Sequence, residues 1–295
     1  MPARPLRPLP LAALAVGCAL ALVVAYVVFV RTHAGQRVDG AALDGRLASF
    51  HARHAASQLL TTISVGSLAL ILALLVAQAL LRRRVALAVV AVVVVLGALT
   101  LTEVLKHLVL VRPDLVPSSL DHNSFPSGHT TTAFAAGIAA TLAAPARWRR
   151  AVAAGALLYG TAIGIATIAA GWHRPSDVAG AMLVVTGWAA AVVLVVALVR
   201  PDAFGDGRTG ESTESRSTWA RTPDLEGYVL LAAVLLVSGW LATVAIVGGS
   251  RVGAIELTTL NATFVGACAC VAALAALLLA ALLTVLRESL PARGA

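Results

Sequence analysis

Charge is scarce in this chain. Of its 295 residues 12% are Asp, Glu, Lys or Arg, whereas 59% are hydrophobic. An ordinary soluble domain carries about 25% charged residues, so this sequence cannot cover its apolar surface with a polar one, and lipid has to do it. Lysine is almost missing: Lys106 is the only one, against twenty-one arginines. Aromatics make up only 5%, and the arginines form no basic strip interleaved with aromatic rings. A nucleic-acid partner is therefore excluded despite the formal net charge of +8. Cysteine is limited to Cys18, Cys268 and Cys270, all inside apolar runs. That rules out a disulfide framework and metal-ligand spacing and predicts free thiols.

Long hydrophobic runs are what the chain has in place of charge. Its mean hydropathy is +0.90. A membrane-spanning helix needs about 20 mostly apolar residues, and eight stretches qualify: 9–30, 59–81, 85–110, 129–145, 151–171, 178–199, 228–248 and 263–286. The fold class is thus all-α, a polytopic bundle. Ala15-Val16-Gly17-Cys18 resembles a lipoprotein processing site, but the apolar run continues to Val30, as an uncleaved first span does. With the N-terminus inside, the inner segments hold fourteen arginines and the outer side eight cations: Arg31, Arg37, Arg46, Arg53, Lys106, Arg112, Arg174 and Arg251. The positive-inside bias then puts both termini in the cytoplasm of a cell-membrane protein.

Three units follow: a six-span core over 1–200, a flexible cytoplasmic linker over 201–227 rich in Gly, Ser and Thr, and a two-span hairpin over 228–287. The hairpin carries little that ionises apart from Arg251 and Glu256 in its loop, so its expected role is packing or oligomer contact. In the first outer loop, 31–58, Leu43, Leu47 and Phe50 stand at near-helical spacing, consistent with a short interfacial helix or with a solvated loop.

Three clusters carry chemistry. Lys106 lies near the outer end of the third span, where an ionisable group is a functional candidate; the bland alternative is snorkelling or a pair with Glu103. Arg112 precedes Pro113 and is thereby pushed out of helical conformation, free to turn back toward Lys106. Next, Asn123-Ser124-Phe125-Pro126-Ser127-Gly128-His129 runs into the fourth span, which sets the amides of Ser127, Gly128 and His129 at a helix N-terminus suited to phosphate. His129 adds a group that exchanges protons near neutral pH. Finally, in Trp172-His173-Arg174-Pro175-Ser176-Asp177, four residues separate His173 from Asp177. The carboxylate can then accept the proton-bearing imidazole nitrogen and leave the other free to attack.

On these residues the chain resembles the type 2 phosphatidic acid phosphatase superfamily, whose pattern is a Lys and Arg-Pro pair, then Pro-Ser-Gly-His, then His followed four residues later by Asp. The resemblance covers residues 59–200. It implies that His173 attacks phosphorus, Asp177 orients it and His129 protonates the leaving oxygen. Lys106, Arg112 and the Ser127 and Gly128 amides would hold the phosphoryl oxygens, and water would release phosphate from a phosphohistidine.

Two departures stand out. Arg112 follows Lys106 by six residues where the family has seven, a rotation of about 100° on a continuous helix. Thr167 stands where the family carries an arginine, six residues before the nucleophile. Loss of one preorganised donor costs about 3–4 kcal/mol of transition-state stabilisation. If that loss limits catalysis, Thr167→Arg raises turnover; either another cation substitutes, with Arg174 and the first-loop arginines nearest in sequence, or activity is reduced or redirected.

No cofactor and no metal are expected, because Asp114, Asp121 and Asp177 are scattered over two loops. The expected activity is metal-independent hydrolysis of a lipid phosphomonoester or diphosphate, of polyprenyl diphosphate, phosphatidic acid or phosphatidylglycerophosphate type, at the extracytoplasmic face of the bilayer. The alternatives are a lipid phosphotransferase and, because of Thr167, a catalytically weak lipid-phosphate binder or transporter.

Overall fold

The computed structural model describes residues 6–45, 50–117, 120, 122–200, 203–204, 234, 236 and 257–290. The linker 201–227 apart from Ala203 and Phe204, the stretch 228–248 apart from Val234 and Leu236, and the loop with Arg251 and Glu256 lie outside the described residues, as do Arg46 and Asp121. The described chain is helical, with α1 (Pro8–Ala25), α2 (His33–Asp44), α3 (Phe50–Thr61), α4 (Val65–Leu81), α5 (Val85–Val104), α6 (Gly128–Ala143), α7 (Ala146–Ala169), α8 (Pro175–Val199) and α9 (Leu257–Ser289). Among the described residues there is no strand.

Among the described residues five helices are long and apolar enough to cross a membrane: α1 with its extension to Val30, α5 with its extension to Val109, α7, α8 and α9. The α3–α4 pair counts as a sixth span if its 56° bend is one broken span. The protein is thus a multi-pass membrane protein. The expected fourth span, 129–145, is a helix of 16 residues, shorter than that length. Nearly all of it is enclosed by other helices, including Ala133, Phe134, Ala135 and Ile138. Conversely, Val16, Leu20, Leu70, Leu74, Leu158 and Val195 are exposed, an apolar perimeter that only lipid can cover.

Lipid tails are as apolar as leucine, so these helices gain little from hydrophobic burial against one another and associate through close packing of small residues. Alanines on α5, α6 and α8 and Val271, Ala275, Leu278 and Leu282 of α9 join one apolar cluster. The last helix therefore packs on the core, and its Thr263 hydroxyl donates to the Ala41 carbonyl of α2.

Gly180 shows the demand for small size. A Cβ there would lie 2.6 Å from the Phe125 ring, which is itself fully enclosed and adjoins Ser124. Gly180→Leu is expected to destabilise the fold by about 1–3 kcal/mol through overpacking and to lower the thermal midpoint in detergent. An unchanged midpoint would show that Phe125 yields freely.

Cations gather at one end of the bundle. Arg82 donates to the Ala143 carbonyl and Arg149 to the Ala144 carbonyl, satisfying the last carbonyls of α6 as side chains near a helix C-terminus do. The other end collects α2, the loop 110–127 and the turn 170–174, and all three candidate motifs lie there.

Candidate active site

The turn that delivers His173 is a glycine-capped helix end. Gly171 takes φ 80°, its amide donates to the Ile168 carbonyl, and the Trp172 amide reaches back to Thr167. Only glycine adopts this left-handed position without a Cβ penalty. The His173 amide also donates to the Thr167 carbonyl, at 3.2 Å. Pro175 then opens α8, and Asp177 enters its first turn, where a carboxylate is favoured by the helix dipole.

Asp177 is fully enclosed, and its Oδ2 lies 3.5 Å from His173 Nδ1. The same Oδ2 accepts from the Ser124 hydroxyl at 2.5 Å and from the Arg174 amide at 2.8 Å. At 3.5 Å the imidazole contact is longer than a formed hydrogen bond, and both His173 Nδ1 and Asp177 Oδ1 are buried without a hydrogen-bond partner. Catalytic hydrogen bonds are often this long in a free site and close only on the substrate complex.

His129, in the first turn of α6, faces His173 with ring centroids 6.2 Å apart and packs on Trp172 at 5.3 Å. Lys106 approaches the same helix start, since a Cβ on Gly128 would sit 3.6 Å from its Nζ. The ammonium is paired with Glu103 at 3.1 Å. Glu103 is 54% exposed, so this pair contributes at most about 1 kcal/mol and is readily opened. Here α5 ends in a π turn, Leu105–Val109, a local widening frequent at functional positions. The Asn123 amide holds that turn to the loop by donating to the carbonyls of Lys106 and Leu110 at 2.9 and 2.7 Å.

Three expectations change. Ser127 does not offer its amide to a ligand: the N–H donates to the Asp177 carbonyl at 2.9 Å, and the hydroxyl accepts from the Thr130 amide as the cap of α6. Its work is to join the starts of α6 and α8, leaving the Gly128 and His129 amides at the open helix end. Arg112 does not turn back to Lys106. It is buried beside Asp39 of α2, with Nη1 3.9 Å from Asp39 Oδ2 and no hydrogen bond of its own. Arg174 does not take up the role that Thr167 vacates; its guanidinium donates to the Ser124 hydroxyl and the Leu120 carbonyl, so it braces the residue that bonds Asp177. Burial, then the neighbouring Arg112, pull its pKa below the usual arginine range.

Thr167 is itself enclosed, with its hydroxyl donating to the Gly164 carbonyl one turn earlier. The tertiary setting thus reverses the gain expected of Thr167→Arg. The longer side chain enters filled space and is expected to cost about 1–3 kcal/mol of stability without raising turnover, as thermal unfolding and phosphate release together would show. Higher turnover would mean that the guanidinium reaches the histidine pair.

Helix α2, within the segment 31–58, supplies what the sequence reading overlooked: its polar side chains Gln36 and Asp39 are buried. Gln36 donates to the Val30 and Pro113 carbonyls at 2.8 and 2.7 Å, and the Tyr26 hydroxyl donates to the Val111 carbonyl at 2.7 Å. Together they clamp Arg112 from both sides in sequence. Asp39 accepts from the Ser176 amide at 3.0 Å and the Ser176 hydroxyl at 2.6 Å, capping α8 from outside. The available signal was the spacing of Gln36 and Asp39, three apart and hence on one helix face.

A cavity of about 50 Å³ opens beside these groups, lined by Gln36, Arg112, Asp114, His122, Asn123 and Arg174 among others. Among the described residues no cluster of three or more His, Cys, Asp or Glu is suited to hold a metal.

Compared with known proteins, residues 86–201 match the family model of the PAP2 superfamily. No curated protein and no solved structure matches the chain.

Proposed function

We propose, from the match of residues 86–201 to the PAP2 superfamily model and from the site's geometry, that this protein hydrolyses a lipid phosphomonoester or diphosphate through a phosphohistidine, without a metal. The observation that carries the reading is the pairing of His173, backed by the enclosed Asp177 at 3.5 Å, with His129 facing it at 6.2 Å over the open start of α6.

In this mechanism the phosphoryl group lies between the two rings. Asp177 fixes the imidazole tautomer with the proton on Nδ1, so Nε2 of His173 attacks phosphorus. The bond from phosphorus to the lipid oxygen breaks as His129 gives that oxygen a proton. Charge on the phosphoryl oxygens is met by Lys106, released from Glu103, by Arg112, and by the amides of Gly128 and His129, which already stand at the helix start. His129, now neutral, takes a proton from water, and the resulting hydroxide oxygen attacks the phosphohistidine to release inorganic phosphate. The lipid tails stay in the bilayer, with the headgroup entering from the extracytoplasmic face.

The test is phosphate release by the purified protein in detergent and in liposomes, with EDTA, over a panel of lipid mono- and diphosphates. Turnover that survives EDTA and vanishes in His173→Ala supports the proposal and names the substrate. Turnover that requires an added divalent cation contradicts the metal-free mechanism. Phosphate appearing on an added acceptor, instead of in solution, means transfer.

A further inference from the structure

Asp39 stands outside the segment that matches the family, on α2, yet it touches the site at two points. Its carboxylate takes both the amide and the hydroxyl of Ser176, two residues into α8 and next to Asp177. Its Oδ2 also lies 3.9 Å from Nη1 of Arg112, a nitrogen that is buried and makes no hydrogen bond, and Arg112 lines the 50 Å³ cavity. A buried cationic nitrogen without a hydrogen bond is expensive to keep. Its partner at 3.9 Å is too distant to bond it and close enough to neutralise it.

Resting on the reading of Arg112 as a phosphate ligand, we propose that Asp39 is its counter-ion in the empty site and that a tetrahedral dianion takes Arg112 as Asp39 takes up a proton from solvent. Two negative groups cannot share one buried arginine without a large repulsive cost, because charges interact strongly where water is excluded. Protonation removes the repulsion and leaves Asp39 able to accept from the Ser176 amide, so the start of α8 stays in place. The exposed Lys106–Glu103 pair needs no such device, since solvent screens it.

The charges that face Asp39 come from three directions. Arg112 approaches from the loop after α5, Asp177 from the first turn of α8, and Arg174 from the cap of α8. From α9, the contact is the neutral Thr263 hydroxyl on the Ala41 carbonyl. Burial, then Asp177, push the Asp39 carboxyl up to about 7, against the opposing pull of the Ser176 hydrogen bonds and Arg112. A carboxyl raised in the folded state contributes stability that is present at low pH and lost as pH rises through the folded value. Wild-type stability should therefore fall between the ordinary carboxylate value of 3.8 and about pH 7, and level off above it, relative to a variant that cannot ionise there.

Tungstate, a tetrahedral dianion whose charge is constant near neutrality, separates the titration of the site from that of the ligand. Its binding to the full chain in detergent is measured by calorimetry at about pH 6 and about pH 8, with Asp39→Asn and Ser176→Ala beside the wild type. With a midpoint near 7, each pH unit above it is expected to weaken binding about tenfold in the wild type. Asp39→Asn should lose that component and bind at the higher pH about as the wild type does at the lower. The two proteins share every other ionisable group, so the difference between the two profiles reports Asp39.

Ser176→Ala keeps the carboxylate beside Arg112 but removes a hydrogen bond that favours its ionised form, so its midpoint should move to higher pH. This second variant carries the test if Asp39→Asn does not fold. Parallel profiles for wild type and Asp39→Asn, an unmoved midpoint in Ser176→Ala, or no tungstate binding would each overturn the proposal. Failure of the hydrolase reading looks different: the Asp39-dependent step in binding would persist with no phosphate released from any lipid.

Discussion

Replacing His173 with alanine is expected to lower phosphate release at least about 10⁴-fold, since in the proposed mechanism this removes the covalent nucleophile and leaves only binding and electrostatic stabilisation. The side chain is buried and makes few bonds that fold the protein: its ring nitrogen Nδ1 has no formed hydrogen bond, and the turn that places it is held by backbone amides on Thr167. Thermal unfolding in detergent should therefore change little. A histidine that served only structure would reverse the pattern, with stability lost and turnover kept. Trapping the variant after incubation with substrate labelled at the phosphoryl group should recover no label on protein, whereas wild type should carry acid-labile label. Equal labelling of both would place the covalent bond elsewhere.

Asp177→Asn should be nearly as severe, about 10³- to 10⁴-fold in kcat, by analogy with loss of the orienting carboxylate in other histidine-based sites. In the proposed mechanism the carboxylate has two duties: it selects the tautomer that leaves Nε2 free, and its charge stabilises the imidazole as positive charge develops during attack. Asparagine retains an oxygen for Ser124 and the Arg174 amide, which bond Asp177 at 2.5 and 2.8 Å, so the local fold has an acceptor where it needs one. It lacks the charge, so the oxygen that faces the imidazole no longer stabilises it as it becomes positive. The expected signature is a large fall in kcat with a small change in KM. A large rise in KM with kcat preserved would show Asp177 to be a binding group and would undo its assignment as orienter.

Which of these features were open to a reader of the sequence follows from the range of the forces involved. Membrane helices announce themselves, because every backbone polar group must be satisfied within the segment and the side chains must suit lipid; α1, α5, α7, α8 and α9 stand close to the apolar stretches that predicted them. His173 and Asp177 were legible because four residues make one helical turn. His129 and Gly128 were legible because a proline, a serine cap and a helix start are adjacent in sequence.

Bonds between distant segments have no such local signature. Whether the Ser127 amide points to a ligand or to the Asp177 carbonyl depends on how α8 crosses α6. Whether Arg112 meets Lys106 or Asp39 depends on Tyr26 and Gln36, which hold the loop from 77 or more positions away in sequence. The sequence by itself determined that this is a chain of lipid-soluble helices with two histidines, a carboxylate and a lysine near helix ends, since composition and spacing suffice for that. Only the tertiary structure decided that a carboxylate from α2 stands beside Arg112, because burial makes that contact matter and burial is a property of the packed bundle.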